Sequence, residues 1–291
     1  MSAQFIAQNL IFGVLTGSLY GLGAAGLSLV FGVLRVLNVA HGELIMLGGY
    51  ASFWLFASYG LDPFASLLLT TPLMFVIGLG LHQGLFTHVE TLDEDMRIKN
   101  SLLIGFGLTL ALHNLAIRLW TADERAVTTA YSGAVIAAGG LVFPVVRVAA
   151  LVIAFGAIAL VHLMLRATYV GQAIRATAED WEAAMLMGID VRRTYLIAFA
   201  LGSALAGVAG TLVSVGYSIN PSIGLEWTLK ALIVVVLAGL GSMPGTFLGG
   251  LLLGLAESVS ALLLGGTYRE VVALVIFVLV LMFRPQGLFG R

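Results

Sequence analysis

Cysteine is missing altogether, and with it go disulfides, thiolate metal sites and cysteine nucleophiles. Charge is scarce as well: Asp, Glu, Lys and Arg supply 10% of the 291 residues, against about 25% in soluble domains. Lysine occurs only as Lys99 and Lys230, preceded by Ile98 and Leu229. There is therefore no G-x-x-x-x-G-K-[ST] loop to cradle a nucleotide phosphate, and any ATP must be hydrolysed by another chain. A net charge of −1 without a basic tract argues against nucleic acid as a partner. No G-x-S-x-G elbow is present, and the five histidines have no H-E-x-x-H spacing. Neither an enzyme nor a metal or cofactor site is expected. No Lys or Arg precedes the first apolar run, as a secretory signal would require, so that run is expected to stay as a span.

Apolar residues fill the space. They make up 60% of the chain, with a mean hydropathy of +1.05, more than one aqueous core can hide. The composition predicts an all-α polytopic membrane helix bundle over residues 1–291, with eight or nine transmembrane helices, some broken or re-entrant. Runs near the ~20 residues that cross a bilayer lie at 8–33, 39–59, 63–86, 101–120, 147–166, 195–217, 227–240, 245–264 and 268–283. If the loop 167–194 is cytoplasmic, nine of the 14 basic residues fall inside, in keeping with the positive-inside rule, and the N-terminus lies outside.

Two stretches do not read as plain spans. A polar cluster, Asn38 to Glu43, interrupts the apolar sequence from Phe5 to Phe56, and Gly239-Leu240-Gly241-Ser242-Met243-Pro244-Gly245 breaks the run before it. Each is followed by a helix with a Gly pair, which reads as a weak internal repeat. Paired Gly- or Pro-interrupted segments point to a transport pathway, because freed backbone groups at membrane depth need protein or water beside them. Asn38, His41, Glu43, Gly239, Gly241 and Ser242 are the candidate pathway residues; loops at the membrane surface are the alternative. For His41 and Glu43, satisfying the broken backbone and pairing with a neighbour is favoured over direct ligand contact. Glu257, inside an apolar run, is expected to pair with a basic residue of a sister subunit, and His82 to lie at the interface. Small residues recur at every fourth position, Gly17 and Gly21, and Gly202, Ala206 and Gly210, as close-packed membrane helices require.

The stretch Thr177 to Gly188 is polar yet reads as a short helix, with Thr177 and Asp180 as a capping box and Gly188 as its stop. Trp181, Ala184 and Met185 share one face, beside the acidic Glu179, Asp180 and Glu182. An amphipathic knob of this kind suits a groove on another protein; a helix lying on lipid would favour Lys and Arg.

The run Glu182-Ala183-Ala184, followed by Gly188 and Ile189, resembles the EAA signature of the membrane subunits of bacterial ABC importers. The stretch from Gly32 to Glu43 resembles the N-[FV]-A-H-G-E segment of the Liv-type branched-chain amino acid permease family. Leu237 to Ser242 and the ending Arg284-Pro285-Gln286-Gly287-Leu288-Phe289-Gly290 are similar to it too. The resemblance is to the smaller, LivH-like branch. It implies a multi-pass protein of the bacterial inner membrane that forms half of a translocation pathway for branched-chain or related aliphatic amino acids. The implied partners are a LivM-like second permease subunit, two cytoplasmic ABC ATPases and a soluble periplasmic substrate-binding protein. Trp181, Glu182, Ala183, Ala184, Gly188 and Ile189 are then the ATPase-coupling residues. A permease for urea or short amides remains open, as does a stand-alone channel or secondary transporter in which helix 178–187 is only an interfacial anchor.

Overall fold

The computed structural model describes residues 3–239, 241–284 and 286–289. Leu240, Pro285, Gly290 and Arg291, which figure in the motifs and charge pattern above, lie outside the described residues. Eleven α-helices follow in order among those described: α1 (Ala3–Leu34), α2 (His41–Tyr59), α3 (Pro63–Gly84), α4 (Glu94–Trp120), α5 (Val145–Ala167), α6 (Tyr169–Glu179), α7 (Trp181–Leu186), α8 (Val191–Gly216), α9 (Ile223–Ala238), α10 (Met243–Leu264) and α11 (Arg269–Phe283). Strands β1 (Val135–Ala138) and β2 (Leu141–Pro144) form an antiparallel hairpin between α4 and α5. Hydropathy did not anticipate this hairpin.

Among the described residues, seven helical segments are long and apolar enough to cross a membrane: α1, α3, α4, α5, α8, α10 and Gly266–Phe283. The two remaining predicted spans are α2 and α9. At 16 residues α9 is about 24 Å long, short of the ~30 Å hydrocarbon layer. Local chemistry explains where helices begin. Asp62 accepts hydrogen bonds from the Phe64 and Ala65 N–H groups, and Pro63 follows it at a position that needs no donor. Asp93, Asp190 and Ser242 cap α4, α8 and α10 in the same way.

Glycines let the central helices touch. A methyl group on Gly17 would sit 2.6 Å from the Gly250 carbonyl oxygen, joining α1 to α10, and one on Gly48 would sit 2.7 Å from the Gly207 Cα, joining α2 to α8. The predicted small-residue spacing is used as packing. Around this centre α1, α8 and α9 are largely buried, while α3, α4, α5 and α11 present apolar side chains outward.

The helix ends fall on two faces. One carries the β hairpin, tied to α1 by Gln8 Nε2 donating to the Val142 carbonyl (2.7 Å), and the connector before it, tied to the start of α3 by the Tyr131 hydroxyl donating to Asp62 Oδ2 (2.6 Å). Burial and this hydrogen bond push the Tyr131 hydroxyl up to about 12. The other face carries α6 and α7.

Candidate functional site

From the α7 face the chain leaves α1 at Leu34 and turns back into the bundle. Arg35 takes a positive φ of 54°, and by His41 the chain has reached the depth of Gly23, whose carbonyl lies 2.8 Å from His41 Nε2. Gly23 precedes Leu34 by 11 residues, or roughly 16 Å of helix. Residues 35–40 are thus a re-entrant, non-helical segment.

Its backbone groups find partners one by one, as low-dielectric surroundings demand. Leu37 N–H donates to Ser101 Oγ (3.1 Å) and Ala40 N–H to Asn38 Oδ1 (3.1 Å). The Thr228 hydroxyl donates to the Val39 carbonyl (3.1 Å) while accepting from Gly42 N–H (3.0 Å). Asn38 and His41 thus each hold a backbone group, a role the sequence favoured for His41 but not for Asn38. Glu43 does not: it is fully buried, and neither carboxylate oxygen has a hydrogen-bond partner among the described residues, so the expected pairing with a neighbour is absent there.

The second element at Glu43 is the start of α9, not the Gly239–Gly245 break. Pro221 hydrogen bonds through its carbonyl to His113 Nδ1 (3.0 Å), and His113 lies seven residues before the end of α4. Residues 218–222 enter from the hairpin face, and α9 begins inside. Gly224 packs on both Gly42 and the Glu43 carboxylate. Two helix N-termini, neither with a side-chain cap, thus meet within the bundle around one carboxylate, which their dipoles favour. By contrast Gly239, Gly241 and Ser242 lie at the α7 face. Gly241 packs on Gly32, near the end of α1, and Leu288 and Phe289 donate backbone hydrogen bonds to Leu237 and Ala238 (2.8 Å each). The proposed repeat pairs the wrong segments: Ser218–Ser222 reads as a polar connector, and nothing in its composition gives its depth.

The polar loop 167–194 also differs from expectation. It holds two helices, and Thr177 lies inside the first of them, 3% exposed, rather than capping the second. The chain bends at Asp180, whose Oδ1 accepts from the Glu182 and Ala183 N–H groups (3.0 Å each). Gly188 does end the knob, at φ +83°, a left-handed conformation that disfavours a β-branched residue. Ala184 is turned into the chain at 4% exposed, whereas Leu186 and Met187 stand out at 88% and 83%. Trp181 and Ile189 line a crevice of about 650 Å³ with Arg97 and Tyr195. Arg97 crosses from there to α1: its guanidinium donates to the carbonyls of Glu90 (2.8 Å), Leu92 (3.1 Å) and Leu34 (3.2 Å).

The sequence profile of the family described as "Branched-chain amino acid transport system / permease component" matches residues 9–281. This chain belongs to that family. It is 34% identical to the high-affinity branched-chain amino acid transport system permease protein BraD of Pseudomonas aeruginosa, over 98% of this chain and 95% of that one. With LivH of Escherichia coli, another such permease protein, identity is 32% over 100% of this chain and 98% of that one. The permease protein LivM of E. coli is 34% identical over 127 residues, 40% of this chain and 28% of that one.

For a permease, two further corrections matter. Glu257 is bound within the chain, by Lys230 and by the Tyr20 hydroxyl (2.9 Å), not held back for a sister subunit. His82 is buried rather than interfacial, with Nε2 2.8 Å from Glu90 Oε1 beneath the turn that Arg97 holds.

Proposed function

We propose that this permease forms one half of the translocation pathway of an ATP-driven importer for branched-chain or related aliphatic amino acids. Its relatives' names support the substrate class. The partial likeness to LivM supports pairing with a second permease subunit of similar architecture, since closed pairs with two-fold pseudosymmetry are the common assembly. Two ABC ATPases on the α7 face and a soluble binding protein on the hairpin face complete the system, in the inner membrane of a bacterium. The orientation rests on the basic residues clustered at the α7 face.

The observation that carries the pathway reading is Glu43. An unpaired carboxylate within a membrane bundle is costly, and its persistence points to transport rather than stability. Asn38, His41 and Glu43 form the constriction, while Gly239, Gly241 and Ser242 flank its exit. ATPase movement reaches the constriction mechanically. Leu186 and Met187 of the knob seat in the ATPase beside the exposed Glu182 and Ala183; Trp181, Ala184 and Ile189 hold the knob on the bundle, and Arg97 passes its displacement to the end of α1, where the re-entrant segment starts. The test is reconstitution of the complete complex in liposomes with the binding protein, measuring uptake of leucine, other amino acids, urea and short amides. ATP-dependent leucine uptake is expected. Downhill flux through this chain alone would replace the importer by a channel, and uptake restricted to urea or amides would change the substrate class.

A further inference from the structure

The hairpin face is cut by a cleft of about 590 Å³ bordered by α1, α9, α10 and α11. Its wall holds a compact cluster. Lys230 and Glu257 form an ion pair, their side chains 17% and 6% exposed, and the other Glu257 oxygen accepts from Tyr20. The Lys230 ammonium lies 5.4 Å from the Tyr20 ring centre, and Tyr20 meets Trp227 edge to face at 5.6 Å. Arg269 lines this cleft and also an adjoining one of about 530 Å³, and both include Glu257.

Charges on an open cleft in a membrane bundle do not face acyl chains, so the cleft opens to water or to a partner subunit. A mostly buried ion pair is also poor evidence of stability, because apolar residues of the same volume do as well or better. The pair has a different property: it sets an ammonium and a carboxylate side by side between aromatic walls. These are the two charges of a free amino acid, and the rings offer its aliphatic side chain an apolar surface. We propose that the cleft binds a small aliphatic α-amino acid as its zwitterion. The ligand ammonium takes the place of Lys230 on Glu257, and the ligand carboxylate takes the place of Glu257 on Lys230 and Arg269.

Such an exchange keeps a counter-ion on both members of the opened pair, in a cleft that Glu124, Glu226 and Glu270 also line. Urea or a neutral amide cannot make it, because opening the pair would then leave two desolvated ions uncompensated. Ile223, which lines the cleft, directly precedes Gly224, which rests on Glu43.

The inference takes its ligand class from the importer reading, but it is tested by binding alone. Titration calorimetry on the assembled membrane complex, without binding protein, compares L-leucine with leucinamide, 4-methylpentanoate and urea. Leucine is expected to bind, and each analogue lacking one charge to bind about tenfold or more weakly, the loss of one charge-assisted contact. Lys230→Gln and Glu257→Gln should each cost leucine a similar factor. Absence of leucine binding, equal binding of the single-charge analogues by the unaltered complex, or undiminished leucine binding in both variants overturns the proposal. ATP-driven leucine uptake by a complex that fails these tests would leave the importer reading intact; binding without uptake of any amino acid would remove that reading and keep the site.

Discussion

Glu43 lies against Gly224 so closely that a methyl group added to Gly224 would come within 2.5 Å of the Glu43 carboxylate carbon. The first turns of α2 and α9 meet at this pair, and the chain reaches the point from opposite faces. Among the described residues the Glu43 carboxylate has no hydrogen-bond partner, and it is the residue through which the proposed constriction is open to direct test.

Glu43→Gln removes the charge with little change of volume. The variant should assemble in parental amounts and show at least a tenfold lower rate of ATP-driven uptake, since a pathway charge acts on rate rather than on folding. Parental uptake by the reconstituted variant would reduce Glu43 to a packing residue. Gly224→Val, in contrast, should drive α2 and α9 apart and lower the yield of folded protein, at a cost of about 1–3 kcal/mol or more.

On the knob, the side chains that stand out are Leu186 and Met187. A Leu186→Asp, Met187→Asp double variant should lose copurifying ATPases while its melting temperature stays at the parental value, since exposed substitutions usually act within about 0.5 kcal/mol. Retention of the ATPases in full would place their docking surface elsewhere. Gly188→Val should also uncouple, because its backbone would have to leave φ +83°.

Ala184 should behave differently from its neighbours. As it is buried against the chain, Ala184→Trp is expected to destabilise the α7 to α8 junction by about 1–3 kcal/mol through overpacking. Limited proteolysis of the 180–190 segment is the measurement, and protection equal to the parent would contradict the packing.

The natural lack of cysteine makes a thiol scan clean. Cysteines at Val39 and Ala40 should be protected from small polar thiol reagents in the resting complex and should react during ATP turnover, while Leu103 and Val152, on outward faces, should show no nucleotide dependence. Protection of both positions throughout turnover would make the re-entrant segment static.

In the packed centre, a methyl group on Gly207 would already lie 2.6 Å from Met74 Cγ. Gly207→Leu should therefore reduce the amount of folded protein recovered, with unchanged substrate preference in what remains, measured by fluorescence-detected size exclusion and the uptake panel.

Much of this protein was legible along the chain because it is governed by local chemistry. Apolar runs located nine helices, since a span must bury its own backbone and expose some 20 apolar residues to lipid. Asp62 before Pro63, the break at Asn38, the stop at Gly188 and the small-residue spacing depend on neighbours a few positions away. Depth and partnership do not. Ser218–Ser222 looks like any polar connector, and only the packing of Gly224 on Gly42 and Glu43 brings it into the bundle. Glu257 and Lys230 are separated by 27 residues, and Tyr20 by more than two hundred, so no spacing rule joins them. The same holds for Ala184 and Leu186, whose burial is decided by where α8 lies rather than by their own helix. Helix ends and spans are one-dimensional properties of a chain, whereas a constriction or a charge cluster exists only once distant helices have fixed each other's height and rotation in three dimensions.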